Sequence, residues 1–352
     1  MLDVPPIGMG TGFNDAELKD PDKIVDAIRS GIDQGMRLID TAENYGGGMC
    51  EILVGRAIAG KRAQVILASK FSPEHSNYQG VIDACERSLH RLGTDYLDLY
   101  QTHWPNPNVP VEETFGALQR LLREGKIRAI GMSNVLWKAL RPQLVSLQAE
   151  YNLFERTVEY DGTLAYCQKN KFSLIAYSPL DQGRIESSLL TALAEKYQKT
   201  VSQIILCWLV SHDSVIAIPK SADPLHIKEN TEAMRFVLDS KDRARIDKEF
   251  FQEIVYIPTN EIEIATKGER GRAVYQTLEE AIENKFGYTP SPAELATTLA
   301  QGGFAKPVRL IPAPQGRYQL INGRIRYWAW VIAFEGKKPI PGYIRHDLKE
   351  RP

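Results

Sequence analysis

Short apolar segments alternate with longer amphipathic segments from residue 7 to residue 250. The apolar segments have the length of β-strands, and the amphipathic segments have the length of helices that bury one face. Such an alternation is typical of a parallel sheet whose strands are joined by crossover helices. We predict strands at 7–11, 37–41, 65–70, 97–103, 129–133, 146–150, 173–178 and 215–219, separated by helices such as 21–34, 79–92, 112–124 and 187–199.

Eight strand–helix units within about 250 residues predict a (β/α)8 TIM barrel. We expect the barrel to end with a helix at 241–250, and we divide the 352-residue chain into a barrel domain, 1–252, and a smaller second domain, 253–352. In barrels of this kind the active site lies at the C-terminal ends of the strands. Polar residues at those ends are therefore the first candidates for chemistry.

Four polar residues lie at or just after the ends of three successive predicted strands: Asp40, Tyr45, Lys70 and His103. Singly, each has a structural interpretation, as a helix cap, a packing residue, a solvated strand end and a buried core histidine. Together their chemistry is complementary, because a tyrosine with a pKa near 10 needs a neighbouring cation to donate a proton near neutral pH.

Further motifs accompany these residues at 7–11 (IGMGT), 102–104 (THW), 131–134 (GMSN), 148–152 (QAEYN) and 218–221 (IPKS). With the four polar residues, they resemble the aldo-keto reductase family over about residues 4–250. The resemblance implies an NAD(P)H-dependent oxidoreductase that transfers hydride to an aldehyde or ketone. It also implies that Tyr45 donates the proton, Lys70 lowers the pKa of Tyr45, Asp40 orients Lys70, and His103 orients the carbonyl oxygen.

The same resemblance implies a nicotinamide cofactor, with NADPH preferred over NADH. Ser133, Asn134 and Gln148 would bind the carboxamide, which needs both donors and acceptors. Tyr177 would stack on the nicotinamide ring. The remaining implied contacts are Thr11; Ser178, Leu180, Gly183 and Arg184 in a loop over the pyrophosphate; Lys220, Ser221 and His226 near the 2′-phosphate; and Glu229 and Asn230 at the adenine.

Two departures from the family pattern bear on the cofactor. The segment 178–185 is less rich in glycine than the usual form of that loop, so loop closure is expected to differ. His226 stands where the family commonly carries arginine, and histidine is a weaker, pH-dependent cation that cannot form a bidentate phosphate contact. The replacement of arginine by His226 therefore makes the expected preference for NADPH over NADH smaller.

The rest of the chain has a different character. From Val255 onward there are 14 Lys and Arg against 10 Asp and Glu, a net charge of +4, whereas the preceding residues carry −5 of the total of −1. Motifs at 295–300, 302–310 and 318–329 predict a helix, a glycine turn into a strand, a second strand, and a helix opened by Gly323, Arg326 and Ala329, with 338–341 before a last strand. This order resembles the ParB/sulfiredoxin-like domain over about residues 255–350.

The implied chemistry of this second domain is a cradle for a nucleotide or phosphate, built from Gly323, Arg324, Arg326 and a helix N-terminus. The alternative is a degenerate domain kept for packing or dimerisation. No cysteine follows Cys207, which excludes sulfiredoxin chemistry. Asn322 and Ile325 replace the acidic residue and histidine of related kinases, and no DNA-binding motif follows, so ligand binding is favoured over catalysis.

The bulk composition limits the remaining classes. The net charge argues against a nucleic-acid-binding protein, and no segment has the roughly 20 apolar residues of a membrane span. The four cysteines fall in predicted helices without metal-ligand spacing, and the first residues do not resemble a signal peptide, which together predict a cytoplasmic protein without a bound metal.

Three functional hypotheses stay open at this point. The first is the carbonyl reductase, whose substrate choice would depend on the loops at 71–78 and 104–111. The second is a redox-sensing protein that binds NADPH but turns over little. In the third, the second domain presents a linked carbonyl substrate to the barrel or gates its site. The sequence does not specify the substrate or the oligomeric state.

Overall fold

The computed structural model describes residues 4–135, 143–183, 187–251, 253–264, 274–288, 290–301 and 306–345. The chain divides into two compact units, Met1–Phe250 and Phe251–Pro352. Each unit has its own cluster of buried apolar side chains.

The first unit is built on an eight-stranded parallel sheet whose strands follow one another in chain order. Ile7 pairs with Ala217 in a parallel bridge, and the amide of Gly10 donates to the carbonyl of Pro219 at 3.1 Å, so the last strand meets the first. The sheet therefore closes as a (β/α)8 barrel. Its strands are β1 (Met9–Gly10), β2 (Leu38–Asp40), β3 (Ile66–Phe71), β4 (Leu99–Thr102), β5 (Ile130–Ser133), β6 (Leu144–Glu150), β7 (Ser173–Tyr177) and β8 (Val215–Ala217).

Helices follow the strands of this sheet, and the longer ones bury an apolar face. In the first helix the Asp20 side chain accepts from the amide of Lys23, and Ile24, Ile28 and Ile32 repeat every fourth residue on the buried face. The helices of the first unit are α1 (Pro21–Asp33), α2 (Met49–Ile58), α3 (Tyr78–Leu92), α4 (Val111–Arg123), α5 (Thr157–Tyr160), α6 (Thr163–Asn170), α7 (Ser188–Tyr197), α8 (Val201–Val210), α9 (Pro224–Glu232) and α10 (Ser240–Glu249).

Strands β5 and β6 approach each other closely at Gly131. A Cβ atom at this position would lie 2.5 Å from Oγ of Ser146 and 2.8 Å from Oε1 of Gln101. Such distances are below van der Waals contact, so a larger residue here would force the side chains of Ser146 and Gln101 to move.

The eight predicted strands are present, and they differ from prediction mainly at their ends. The segments at 7–11 and 97–103 form shorter strands than expected, because Ile7 and Leu97 make only isolated bridges. The sixth strand begins two residues earlier than predicted, at Leu144. All four cysteines lie in helices, as predicted, and they are buried and not disulfide-bonded.

The second unit contains a five-stranded mixed sheet in the order β10–β12–β11–β13–β9. Within the described residues three helices accompany it, and Tyr327, Trp328 and Trp330 of the last helix are buried. The predicted order of helix, two strands, helix and last strand is present, whereas two strands before residue 265 were not predicted. The elements are β9 (Val255–Ile257), β10 (Ile262–Ile264), α11 (Leu278–Ile282), α12 (Pro292–Ala300), β11 (Val308–Pro312), β12 (Tyr318–Asn322), α13 (Arg324–Phe334) and β13 (Ile340–Ile344).

Within the described residues, none of the helices is both long and apolar enough to cross a membrane.

Candidate active site

The four candidate catalytic residues come together at one rim of the barrel. Asp40 is the last residue of β2, Lys70 is the last but one of β3, and His103 directly follows β4. Parallel neighbouring strands end on the same side of a barrel, which brings these side chains close to one another. Tyr45 follows five residues after Asp40, in a 3₁₀ turn at Tyr45–Gly48.

Lys70 and Asp40 form a buried ion pair at the centre of this rim. The two side chains are 0% and 2% exposed, and Nζ of Lys70 lies 2.6 Å from Oδ1 of Asp40. The same ammonium donates to the carbonyl of Thr41 at 2.8 Å, and Nε2 of Gln148 donates to Oδ2 of Asp40 at 2.8 Å. Lys70 is therefore not a solvated strand end, since carboxylate and carbonyl oxygens fix its position.

Tyr45 lies beside both Lys70 and His103. The Tyr45 and His103 rings meet edge to face with centroids 5.4 Å apart, and Nζ of Lys70 is 5.0 Å from the Tyr45 ring centroid. The ammonium lies close enough to the phenol to lower its pKa. The turn that carries Tyr45 contains Gly46 and Gly47 at φ 56° and 62°, a left-handed conformation that favours glycine.

Burial and charge act in opposite directions on this pair. Burial raises the pKa of the Tyr45 phenol above its ordinary value of 10.0, and the Lys70 ammonium opposes that rise. Burial disfavours the charged form of Lys70, but Asp40 and then Tyr45 favour it, so the pKa of Lys70 lies above 10.5. At neutral pH the site therefore contains a protonated phenol next to a charged lysine.

His103 is neutral in this environment. Burial, with a smaller contribution from Lys70, lowers the pKa of His103 from 6.5 to about 3. Its main chain is held on both sides, because its amide donates to the carbonyl of Phe71 at 3.0 Å and its carbonyl accepts from Nδ2 of Asn134 at 2.9 Å. A neutral imidazole retains one N–H with which it can donate to a ligand oxygen.

A second buried network lies behind the tetrad. Oγ of Ser69, next to Lys70 in β3, donates to Oε1 of Glu51 at 2.6 Å. Nε of Arg91 lies 2.6 Å from Oε2 of the same carboxylate, which is 0% exposed. The network joins β3 to α2 and α3, and so supports the strand that carries Lys70.

The predicted carboxamide residues also meet at this rim, where Asn134 braces its neighbours. Nδ2 of Asn134 donates to Oγ of Ser133 at 3.0 Å, and Oδ1 accepts from the hydroxyl of Tyr177 at 2.9 Å. Asn134 adopts a left-handed φ of 60°. Ser133 and Gln148 are buried, and the hydroxyl of Thr11 donates to the carbonyl of Asp40 at 2.9 Å.

The segment after β7 has an unusual backbone. Four residues have positive φ: Ser178 (50°), Asp181 (43°), Gln182 (59°) and Gly183 (73°). Ser178 is tied to the rim because its carbonyl accepts from Nδ2 of Asn152 at 3.0 Å, and Leu180 packs partly buried against the apolar core. Arg184, also predicted as a cofactor contact, lies outside the described residues.

The segment after β8 leads into the N-terminus of α9. Oγ of Ser221 accepts from the amide of Asp223 at 2.9 Å, and the Asp223 side chain caps the helix through the amide of Leu225. The other predicted contacts lie farther along this helix, where His226 is exposed, Glu229 is partly exposed and Asn230 is buried. Nζ of Lys220 contacts the carboxylate of Glu17 at 2.5 and 2.7 Å.

Glu17 was missed by the sequence analysis. It follows β1 and lies 203 positions from Lys220, so no local spacing connects the two residues. The only local signal is the pattern Asn14-x-x-Glu17, in which the amide of Asn14 donates to Oε2 of Glu17 at 2.9 Å.

In the second unit, Gly323 caps α13 with φ 98°, as a tight strand-to-helix turn requires. The guanidinium of Arg326 bonds inside the protein: Nη1 donates to the carbonyls of Lys306 and Pro307 at 2.9 and 2.8 Å, and Nη2 to Oδ1 of Asn322 at 3.1 Å. These contacts tie α13 to the start of β11. Arg326 thus has a structural role that the sequence analysis did not foresee, and Arg324 beside it is partly buried.

Comparison with known proteins matches residues 6–249 to the Aldo/keto reductase family. The chain belongs to this family. It is 38% identical over 263 residues to methylglyoxal reductase YeaE of Escherichia coli, covering 71% of this chain and 92% of that protein. It is 34% identical to the glyoxal reductase of Bacillus subtilis over 70% of this chain and 89% of that protein.

Solved structures of aldo/keto reductases agree with this membership. One from Klebsiella pneumoniae, in complex with NADP and acetate, is 39% identical, with a TM-score of 0.66 over 70% of this chain and 92% of that one. The chain is therefore an NAD(P)H-dependent oxidoreductase of the aldo-keto reductase type, which confirms the predicted enzyme class. The family match ends at residue 249. The resemblance of the second unit to a ParB/sulfiredoxin-like domain therefore rests on its sequence motifs, and these comparisons do not support it.

Proposed function

We propose that this protein reduces small aldehydes and ketones with NADPH, using Tyr45 as the proton donor. The observation that carries the proposal is that Tyr45 lies beside Lys70 and His103, while Lys70 forms a buried ion pair with Asp40. The methylglyoxal and glyoxal reductases among the relatives make 2-oxoaldehydes the first substrates to test.

The residues present fit a nicotinamide dinucleotide phosphate by their chemistry. Ser133 and Gln148 offer a hydroxyl and an amide for a carboxamide, and Tyr177 offers a ring for stacking. Lys220 and Ser221 stand before the N-terminus of α9, where a cation, a hydroxyl and the helix dipole together suit a phosphate. Asn134 would act by bracing Ser133, Tyr177 and His103, because its side chain already bonds to all three.

NADPH, when bound, supplies hydride to the carbonyl carbon. The protein would supply the proton: the Tyr45 phenol releases it to the carbonyl oxygen as negative charge develops there. Lys70 stabilises the resulting phenolate, and Asp40 keeps Lys70 charged. His103, neutral at the working pH, donates its N–H to the same oxygen and fixes its orientation.

Replacing Tyr45 by Phe tests this assignment. We expect Tyr45→Phe to slow single-turnover reduction of methylglyoxal by roughly 10²-fold or more, since general acid catalysis contributes about that much. The dissociation constant for NADPH should stay near that of the wild type. Wild-type reduction rates in the variant would refute the mechanism, and slow reduction of every carbonyl by the wild type despite tight NADPH binding would instead favour a redox sensor.

For the second unit we propose a ParB/sulfiredoxin-like domain, with domains at 1–252 and 253–352, that binds a nucleotide or phosphorylated group. The order of α12, β11, β12 and α13, with Gly323 at the turn, supports the resemblance. The contacts of Arg326 to main-chain carbonyls favour packing over ligand binding for that residue. Calorimetric titration of the full chain with ATP and with inorganic phosphate tests the role; no heat of binding beyond that of a chain ending at Phe250 would leave only the packing role.

A further inference from the structure

The ammonium of Lys220 forms an ion pair with the carboxylate of Glu17. Its Nζ contacts both carboxylate oxygens of Glu17, at 2.5 and 2.7 Å, and the two side chains are 33% and 26% exposed. The same ammonium lies 5.5 Å from the centre of the Phe13 ring. Lys220 is the cation that we assign to the 2′-phosphate of NADPH, so Glu17 stands at a position that affects cofactor binding.

Glu17 is held there by its own segment. The amide of Asn14 donates to Oε2 of Glu17 at 2.9 Å, and Oδ1 of Asn14 accepts from the amides of Ala16 and Glu17 at 3.0 Å. The position of the Glu17 carboxylate is therefore fixed by its own segment, independently of its contact with Lys220. This fixation reduces the side-chain entropy that an exposed ion pair usually loses on forming.

The barrel closure brings the two residues together. Glu17 follows β1 and Lys220 follows β8, and these strands adjoin through the hydrogen bond from the amide of Gly10 to the carbonyl of Pro219. The pair thus joins the exits of the first and last strands. A phosphate that binds Lys220 must share the ammonium with Glu17 or displace its carboxylate.

We propose that Glu17 is an internal competitor of the 2′-phosphate, which weakens NADPH binding and sets the degree of preference over NADH. The inference rests on the cofactor site proposed above. A carboxylate near a phosphate dianion repels it, and breaking the Glu17–Lys220 pair adds a cost that NADH, without this phosphate, does not meet.

Glu17→Gln tests the competition while preserving the local turn, because the Gln side-chain oxygen can still accept from the amide of Asn14. We expect the dissociation constant of NADPH, measured by calorimetry, to fall about fivefold, which corresponds to about 1 kcal/mol. The constant for NADH should be unchanged. Asp15→Asn removes a charge from an exposed position of the same segment and should alter neither constant by as much.

Lys220→Met separates this inference from the cofactor site on which it rests. If Lys220→Met leaves NADPH binding unchanged, the assigned phosphate site is wrong. If it weakens NADPH but Glu17→Gln does not strengthen it, the site stands and the competition is refuted. Equal strengthening by Asp15→Asn, or equal strengthening of NADH by Glu17→Gln, would also refute it, because the effect would then be one of general charge.

Discussion

Replacing Asp40 by Asn is the sharpest test of how the site is held together. Each carboxylate oxygen accepts from a different donor, Oδ1 from Lys70 at 2.6 Å and Oδ2 from Gln148 at 2.8 Å. Asparagine has only one acceptor oxygen. Its amide nitrogen would replace the second oxygen and would face either Nζ of Lys70 or Nε2 of Gln148, both of which are donors. The change therefore removes the only acid that balances a fully buried lysine charge at this rim within the described residues.

The expected loss follows from that burial. Breaking a buried pair by removing one partner costs about 3–5 kcal/mol, because the remaining charge stays desolvated. We expect the free energy of unfolding of Asp40→Asn, measured in urea at pH 7, to fall by about 3 kcal/mol. Because folding raises the pKa of Lys70, the stabilisation from the pair is complete at neutral pH and is lost only as pH rises above about 10.5.

The chemistry should fall as well. Without Asp40 the pKa of Lys70 drops, the lysine loses charge, and the Tyr45 phenolate is no longer stabilised. We expect single-turnover reduction in the folded variant to slow by roughly 10²-fold. Asp98→Asn is the matched control: Asp98 is also buried and paired, with Arg62 at 2.8 Å, but it precedes β4 at the opposite end of the strand.

Asp98→Asn should lose stability and keep the wild-type reduction rate per folded molecule. Two results would refute the reasoning. Unchanged urea unfolding of Asp40→Asn would mean that the pair contributes nothing to stability. Equal slowing of both variants would mean that catalysis follows general stability rather than the charge of Lys70.

Three further outcomes are expected. Folding lowers the pKa of His103 from 6.5 to about 3, so the wild type should lose up to about 1.4 kcal/mol of stability per pH unit as pH falls from 6.5 towards 3. Urea unfolding at pH 7 and pH 5 should show a smaller loss of stability between these two pH values for His103→Gln than for the wild type. Gly131→Ala should cost about 1–3 kcal/mol in the same assay, and Ser146→Ala in the same chain should recover part of it; no recovery would contradict the clash with Oγ. Glu51→Met should lower the melting temperature, because Arg91, which is only partly exposed, loses its buried partner; adding Arg91→Met should restore part of the loss, and no restoration would contradict this cause.

The sequence allowed the strands and the tetrad positions to be predicted because both depend on local pattern. Asp40, Lys70 and His103 lie at strand ends, and the parallel barrel brings those ends together without further information. Strand lengths were less predictable. Ile7 and Leu97 are apolar and buried like their neighbours, yet they pair only in isolated bridges. The pattern of apolar and polar side chains is the same for a bridge residue and a strand residue, so it does not predict where pairing stops.

Contacts between distant residues account for most of what was missed. The pair of Glu17 and Lys220 depends on barrel closure, and the bonds of Arg326 to two carbonyls depend on the start of β11. Neither follows from periodicity or spacing. Strands β9 and β10, three residues each, are too short to give a clear alternating pattern.

Several side chains that line the rim bond to one another across different strands. Asn134 joins three strand ends, and Asp40 joins two more through Lys70 and Gln148. For protein engineering, this means that the loops after β3 and β4 can be exchanged for those of other reductases while the proton-donating centre is retained, provided that Phe71, whose carbonyl accepts from the amide of His103, is kept. A library that seeks new substrates is best confined to these loops, whereas rim positions would have to be changed in concert.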